Sequence, residues 1–289
     1  MMREAVFVST ARTPLTKAHR GEFNITPGPT LAAFAVRAAV ERAGIDPGLI
    51  EDLVLGCGNP EGRQARNIGR QAAIRAGLPI TVAGSTVSRF CASGLQAIAD
   101  AAGRIVMDGD AAIVAGGVES ISGLKAPAPG LEGGSDPWIV EHKPALYMAM
   151  IDTADIVAQR YGVSREAQDR FSAQSQQRTE AAQEAGRYRE EIVAVTTTMA
   201  VADKSTGAVS EREVTVDRDT CNRPGTTYEA LAKLEAVKGP GKFVTAGNAS
   251  QLSDGASACG DDGGARRRAR RRPGAGRIPR LRGRGLRAR

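Results

Sequence analysis

Ser85-Thr86-Val87-Ser88-Arg89-Phe90-Cys91-Ala92-Ser93-Gly94-Leu95-Gln96-Ala97-Ile98 is the stretch from which the rest of the chain is read. Residues 85–87 are short and β-branched, a strand signal, and run straight into Cys91. Residues 93–107 are helical text, mostly Ala, Ile, Leu and Val where they are not glycine. Cys91 thus stands between a strand and the first turn of a helix. Amides at a helix start lack intrahelical acceptors, and the helix dipole favours negative charge there. Such amides can also hold an oxyanion. Taken alone, a cysteine at this kind of turn is more often a small core residue. The helix that follows is apolar around most of its circumference, so a second layer of structure is expected to cover it.

Outward from this stretch, strands and helices alternate. Residues 5–8 read as a buried strand, 31–43 as a helix ended by Gly44, 52–55 as a strand and 65–76 as a helix. Residues 111–115 read as a further strand, closed by Gly116-Gly117. This order predicts an α/β fold with a mostly parallel sheet. Beyond Val118 the pattern changes. Pro, Gly and Ser dominate 125–137, a loop signal, and two helices follow over 152–161 and 164–185. The expected organisation is an N-terminal domain over 1–117, an inserted loop subdomain over 118–247, a return segment over 248–257 and an Arg/Gly-rich tail over 258–289.

Composition limits the function classes. The 289 residues carry 42% hydrophobic and 25% charged residues, as a globular protein does. The net charge of +7 is misleading, because residues 258–289 hold 12 Arg and 2 Asp, or +10, leaving −3 on the body. A basic arm for nucleic acid is one reading of that tail. No aromatic side chain interleaves for base stacking, so no nucleic-acid partner is expected despite the basic tail. Four dispersed cysteines without a C-x-x-C pair, and no secretory leader, favour reduced thiols and a cytoplasmic location. No apolar run reaches the roughly 18 residues that span a bilayer, so no membrane partner is expected. His19 and His142 are the only histidines, and no zinc spacing, Walker sequence or G-x-S-x-G elbow occurs.

A family resemblance supplies what spacing cannot. Residues 89–98 resemble the nucleophile motif of thiolases, and Gly116-Gly117-Val118-Glu119-Ser120 resembles that family's next signature. Ala65-Arg66-Asn67-Ile68-Gly69-Arg70-Gln71-Ala72-Ala73 is similar to the helix ahead of the active site, and Arg12-Thr13-Pro14 to the opening loop. Thr245-Ala246-Gly247-Asn248-Ala249-Ser250, with Ser253-Asp254-Gly255-Ala256, resembles the motif closing the insert. The likeness runs nearly continuously over 4–257 and stops at Gly260.

The resemblance implies a thiolase-like fold and an acyl-CoA acyltransferase of fatty acid metabolism. Claisen condensation or thiolysis would pass reversibly through an acyl-Cys91 intermediate. It implies that the Cys91 N–H serves an oxyanion hole, and that Ser250 and the adjoining Ala249 meet the pantetheine arm. Arg223, in Arg223-Pro224-Gly225-Thr226-Thr227, is expected near the CoA nucleotide, with a solvated loop charge as its alternative. Coenzyme A thioesters are substrates, so no cofactor and no metal are expected, and an intact family member is a homo-oligomer. The family's Pro-Ala-Phe before a glycine-rich turn is replaced here by Ala236-Val237-Lys238.

A thiolase continues into a second domain carrying a Gly-His-Pro histidine, an Asn-Glu-Ala-Phe segment and a Cys-x-Gly loop. None of these strings occurs in the 289 residues, and neither His19 nor His142 sits in a matching motif. The expectation is a truncated chain lacking that domain, impaired in catalysis, whose tail is disordered and arises from a reading-frame shift. The alternative is a non-catalytic CoA-binding or interaction fragment.

Overall fold

In the computed structural model, residues 4–124 and 134–263 are described. They form two compact units. The first comprises residues up to 124, together with 189–220 and 252 onward, and the second comprises 125–188 and 221–251.

The first unit is built on one sheet. Strands β1 (Val6–Arg12), β2 (Thr16–Lys17), β3 (Ile50–Gly56), β4 (Ala83–Val87), β5 (Ala112–Ser120) and β8 (Ser253–Asp262) compose it. The order is β1-β8-β5-β3-β4, with β2 paired to β8. β3 runs parallel to β4 and β5, whereas β8 runs antiparallel to β1 and β5. The α/β architecture is as the sequence implies, and the sheet is mixed because β8 enters between two strands that run opposite to it. β8 continues to Asp262, so residues 258–262 lie in the sheet rather than in a tail. The rest of the anticipated tail, 264–289, lies outside the described residues, as do 125–133 of the anticipated loop.

Side-chain parity divides the core. On β3, Leu53 and Leu55 face one side and Val54 the other; on β5, Val114 opposes Ile113 and Ala115. Helix α1 (Gly28–Ala43) covers the first side, burying Leu31, Val36 and Val40, each worth about 1.5–3 kcal/mol. Pro29 pre-sets its first turn, and Gly44 ends it with φ +61°, donating to the Val40 and Glu41 carbonyls. Helix α2 (Ile68–Arg75) packs beside it. It starts three residues later than the pattern suggests, because Arg66 takes φ +67° and the Asn67 side chain caps the Arg70 N–H.

Helix α3 (Ser93–Met107) covers the opposite side through Ala97, Ala101 and Ile105. A layer covering its remaining apolar face is absent among the described residues: Leu95 is 58% and Met107 82% exposed. The two-glycine stop anticipated after Ala115 is also absent, since β5 runs through Gly116 and Gly117 to Ser120.

A hairpin of β6 (Val195–Ala202) and β7 (Val209–Val216) belongs to this unit. Val195 and Val216 enter the core with α1, and the Val193 N–H donates to the Arg12 carbonyl at 2.8 Å. Arg12 fixes the return by a bidentate pair with Asp219 at 2.7 and 2.9 Å.

The second unit holds α4 (Pro137–His142), α5 (Met150–Tyr161), α6 (Arg165–Glu184) and α7 (Tyr228–Ala232). Ser164 caps α6 by accepting from the Ala167 N–H. Only Asp169 and Ala173 of α6 are buried, as its Gln- and Glu-rich text suggests.

Candidate active site

Cys91 is exposed, shortly after β4 ends and immediately before the N-cap of α3. The turn that carries it is unusual. Phe90 takes φ +49°, a left-handed conformation that costs a bulky residue of order 1 kcal/mol or more. Ser93 secures it: its Oγ accepts the Arg89 N–H at 2.8 Å and donates to the Phe90 carbonyl at 2.6 Å. The Ala92 and Ser93 N–H groups donate to the Arg89 and Phe90 carbonyls. Those two amides, expected to be open at the helix start, are thus engaged within the turn.

The helix start is pressed onto the sheet. A Cβ on Gly56 would lie 2.3 Å from the Ser93 carbonyl carbon, so only glycine permits this approach. The close contact explains why a glycine ends β3 beside the strand leading into Cys91.

Cys57 adjoins this region but differs chemically. It is buried, and burial, aided by the Glu119 charge, pushes its thiol up to about 12. Burial likewise raises the Cys259 thiol, beside Asp261. Both stay protonated at neutral pH; of the other two thiols Cys91 is exposed and Cys221 half-buried.

Sequence reasoning passed over Glu119 and Gln64. The Glu119 carboxylate accepts the Gly58 N–H at 2.7 Å, the Asn59 N–H at 3.3 Å and the Gln64 amide at 2.5 Å. Gln64 Oε1 in turn accepts the Ser120 N–H at 2.7 Å. Glu119 lies within the Gly-Gly-Val-Glu-Ser signature, which was the available signal; Gln64 had none.

Arg223, Ala249 and Ser250 lie in the second unit, all exposed. One face of α6 organises both loops that carry them. The Arg223 N–H donates to Gln176 at 2.8 Å and the Gly225 N–H to Glu180 at 3.1 Å. Nearer the helix start, Asp169 accepts from Asn248 at 2.9 Å, and Asn248 accepts the Thr245 N–H at 2.7 Å. Asp169 and Gln176 are seven residues apart, so the loops are spaced about 10 Å along the helix. Asp169 is itself paired with Arg165 at 2.7 Å. Asp155 of α5 adds a bond from the Phe243 N–H at 2.9 Å. Asn248 is the link that fixes the segment ahead of Ala249 and Ser250.

Among the described residues no group of three or more His, Cys, Asp or Glu could hold a metal ion. His19 is exposed and donates its backbone N–H to Ser122, while His142 stacks on Trp138 at 4.3 Å. No described helix is long and apolar enough to cross a membrane.

Comparison with known proteins gives this geometry its family. A model of the thiolase N-terminal domain matches residues 5–259. The chain is 40% identical over 257 residues to a 3-ketoacyl-CoA thiolase of Bacillus subtilis, covering 89% of this chain and 65% of that protein. It is 39% identical over 268 residues to an acetyl-CoA acetyltransferase of Cupriavidus necator, with the same coverage. The crystal structure of the Bacillus anthracis acetyl-CoA acetyltransferase superposes with a TM-score of 0.78 at 30% identity, covering 93% of this chain and 67% of that one. The chain belongs to the thiolase family, through its N-terminal domain. It spans about 65% of the length of the curated relatives it matches.

Proposed function

We propose that this chain performs the acyl-accepting half of a thiolase reaction. The Cys91 sulfur attacks the carbonyl of an acyl-CoA, the Cys91 N–H helps hold the oxyanion, and CoA leaves with the proton as a free thiol. The product is an acyl-Cys91 thioester. The observation that carries this reading is the exposed Cys91 on a strained, hydrogen-bonded turn, inside a matched thiolase N-terminal domain.

Ser250 and Ala249 meet the pantetheine arm, and Arg223 meets the nucleotide. Acyl-CoA and CoA are the partners, with no cofactor or metal beyond them, in a cytoplasmic homo-oligomer. A base at the nucleophile assists this attack, and the second half, carbon–carbon bond formation or thiolysis, needs a further acid–base group at the substrate α-carbon. The Gly-His-Pro and Cys-x-Gly strings that would supply them do not occur in the 289 residues. Residues 1–289 on their own are proposed to stop at the acyl-enzyme.

Incubation with acetyl-CoA followed by intact mass tests this. An acetyl adduct present in the native chain and lost in Cys91→Ser is expected. Absence of an adduct, with the thiol still open to alkylation, would leave a non-catalytic CoA-binding or interaction fragment.

A further inference from the structure

We propose that Glu119 is the positioning residue for Cys91, an inference that rests on reading Cys91 as the nucleophile. Glu119 stands at the end of β5, and three N–H donors converge on its carboxylate: Gly58, Asn59 and the Gln64 amide, at 2.7, 3.3 and 2.5 Å. All three donors are neutral, and a carboxylate accepts from all of them at once. A glutamine of the same shape would turn its NH2 against one donor. Gln64 is fully buried and makes a second connection, donating to the Asn59 carbonyl at 2.7 Å while accepting from Ser120.

The segment held this way bears on the Cys91 turn from below. The Cys57 N–H donates to the Val87 carbonyl at 3.0 Å, and Ser88 Oγ donates to the Gly58 carbonyl at 3.2 Å. A Cβ at Gly58 would stand 2.7 Å from Glu119 Oε2 and 3.4 Å from the Phe90 carbonyl oxygen. Residue 58 is therefore wedged between Glu119 and the residue whose left-handed backbone aims Cys91. A strained turn persists only where its surroundings over-determine it. Ser93 restrains this one from the helix side, and the Glu119-held segment restrains it from the strand side.

The test uses the full 289-residue chain and Glu119→Gln. Hydrogen exchange is resolved over residues 57–64 and 88–93, and the rate of Cys91 acetylation is followed against acetyl-CoA concentration. Positioning predicts roughly fivefold faster exchange in both segments. It also predicts a maximal acetylation rate lowered about tenfold or more, with the half-saturating acetyl-CoA concentration unchanged within about twofold. A mere loop staple would speed exchange over 57–64 and leave 88–93 and acetylation untouched, which overturns the proposal. If the native chain forms no adduct, the acyl-accepting reading fails. Faster exchange over 88–93 in the variant would still support the mechanical role, and unchanged exchange would overturn it. Should Glu119→Gln not fold, Ser88→Ala cuts only the bond to Gly58. Faster exchange over 88–93 with slower acetylation would support positioning, and native behaviour in both would overturn it.

Discussion

The Cys91 turn and the Arg223 and Ser250 loops are held by different physics. In the first unit a helix start is packed directly onto a sheet, so close that a Cβ at residue 56 would stand 2.3 Å from its backbone. In the second unit, side chains of a wet helix reach out to loop amides: Asp169 through Asn248, Gln176 to residue 223, Glu180 to residue 225. Close packing defines a position sharply because its alternatives clash. Side-chain hydrogen bonds define it through a few replaceable contacts of about 1 kcal/mol each. The proposed nucleophile thus sits on the closely packed part and the proposed substrate contacts on the adaptable one.

Substitutions can break or sharpen that contrast. Gly56→Ala should have the largest effect, costing about 3 kcal/mol through overpacking and abolishing Cys91 acetylation. Urea denaturation together with intact mass would show both. Asp169→Ala should cost about 2–3 kcal/mol, since it leaves the Arg165 charge without its carboxylate and removes one of the bonds that hold Asn248. Hydrogen exchange should locate the loss at 243–251, with Cys91 reactivity to iodoacetamide unchanged; loss spread over the sheet would blur the two units into one.

Asp261 offers a subtler probe of the packed unit. It is fully buried in β8, and burial pushes its carboxyl up to about 7. The folded state therefore binds this proton more tightly than the unfolded chain does. The contribution is whole below about pH 4 and is lost as pH rises toward 7. Asp261→Asn should remove that slope and stabilise the protein at pH 8 by about 1–2 kcal/mol, because the amide still needs partners. Thermal melts across pH 4–8 for both proteins would reveal a constant difference if burial of Asp261 were irrelevant. Ser250→Ala should do least, raising the half-saturating acetyl-CoA concentration roughly fivefold, or about 1 kcal/mol, without changing stability.

The sequence exposed what is local and periodic. Each strand–helix pair of the parallel part announces itself within some 30 residues, and the Cys91 turn reads directly from strand text meeting helix text. β8 was less legible because its partner β1 lies some 245 or more positions away, as at Arg12 and Ser257. Its Asp254, Asp261 and Asp262 also look unlike a buried strand. The β6–β7 hairpin does alternate, yet lies in a stretch whose surroundings suggest an insert. Glu119 and Asn248 escaped a role because their partners include backbone amides, which leave no mark on composition.

The most direct measurement is peptide-resolved acetylation after brief exposure to acetyl-CoA, comparing Cys91 with the partly exposed Cys221. The account predicts an adduct on Cys91 alone, removed again by added free CoA. Equal labelling of both cysteines, or an adduct on Cys91 that CoA does not reverse, would contradict it.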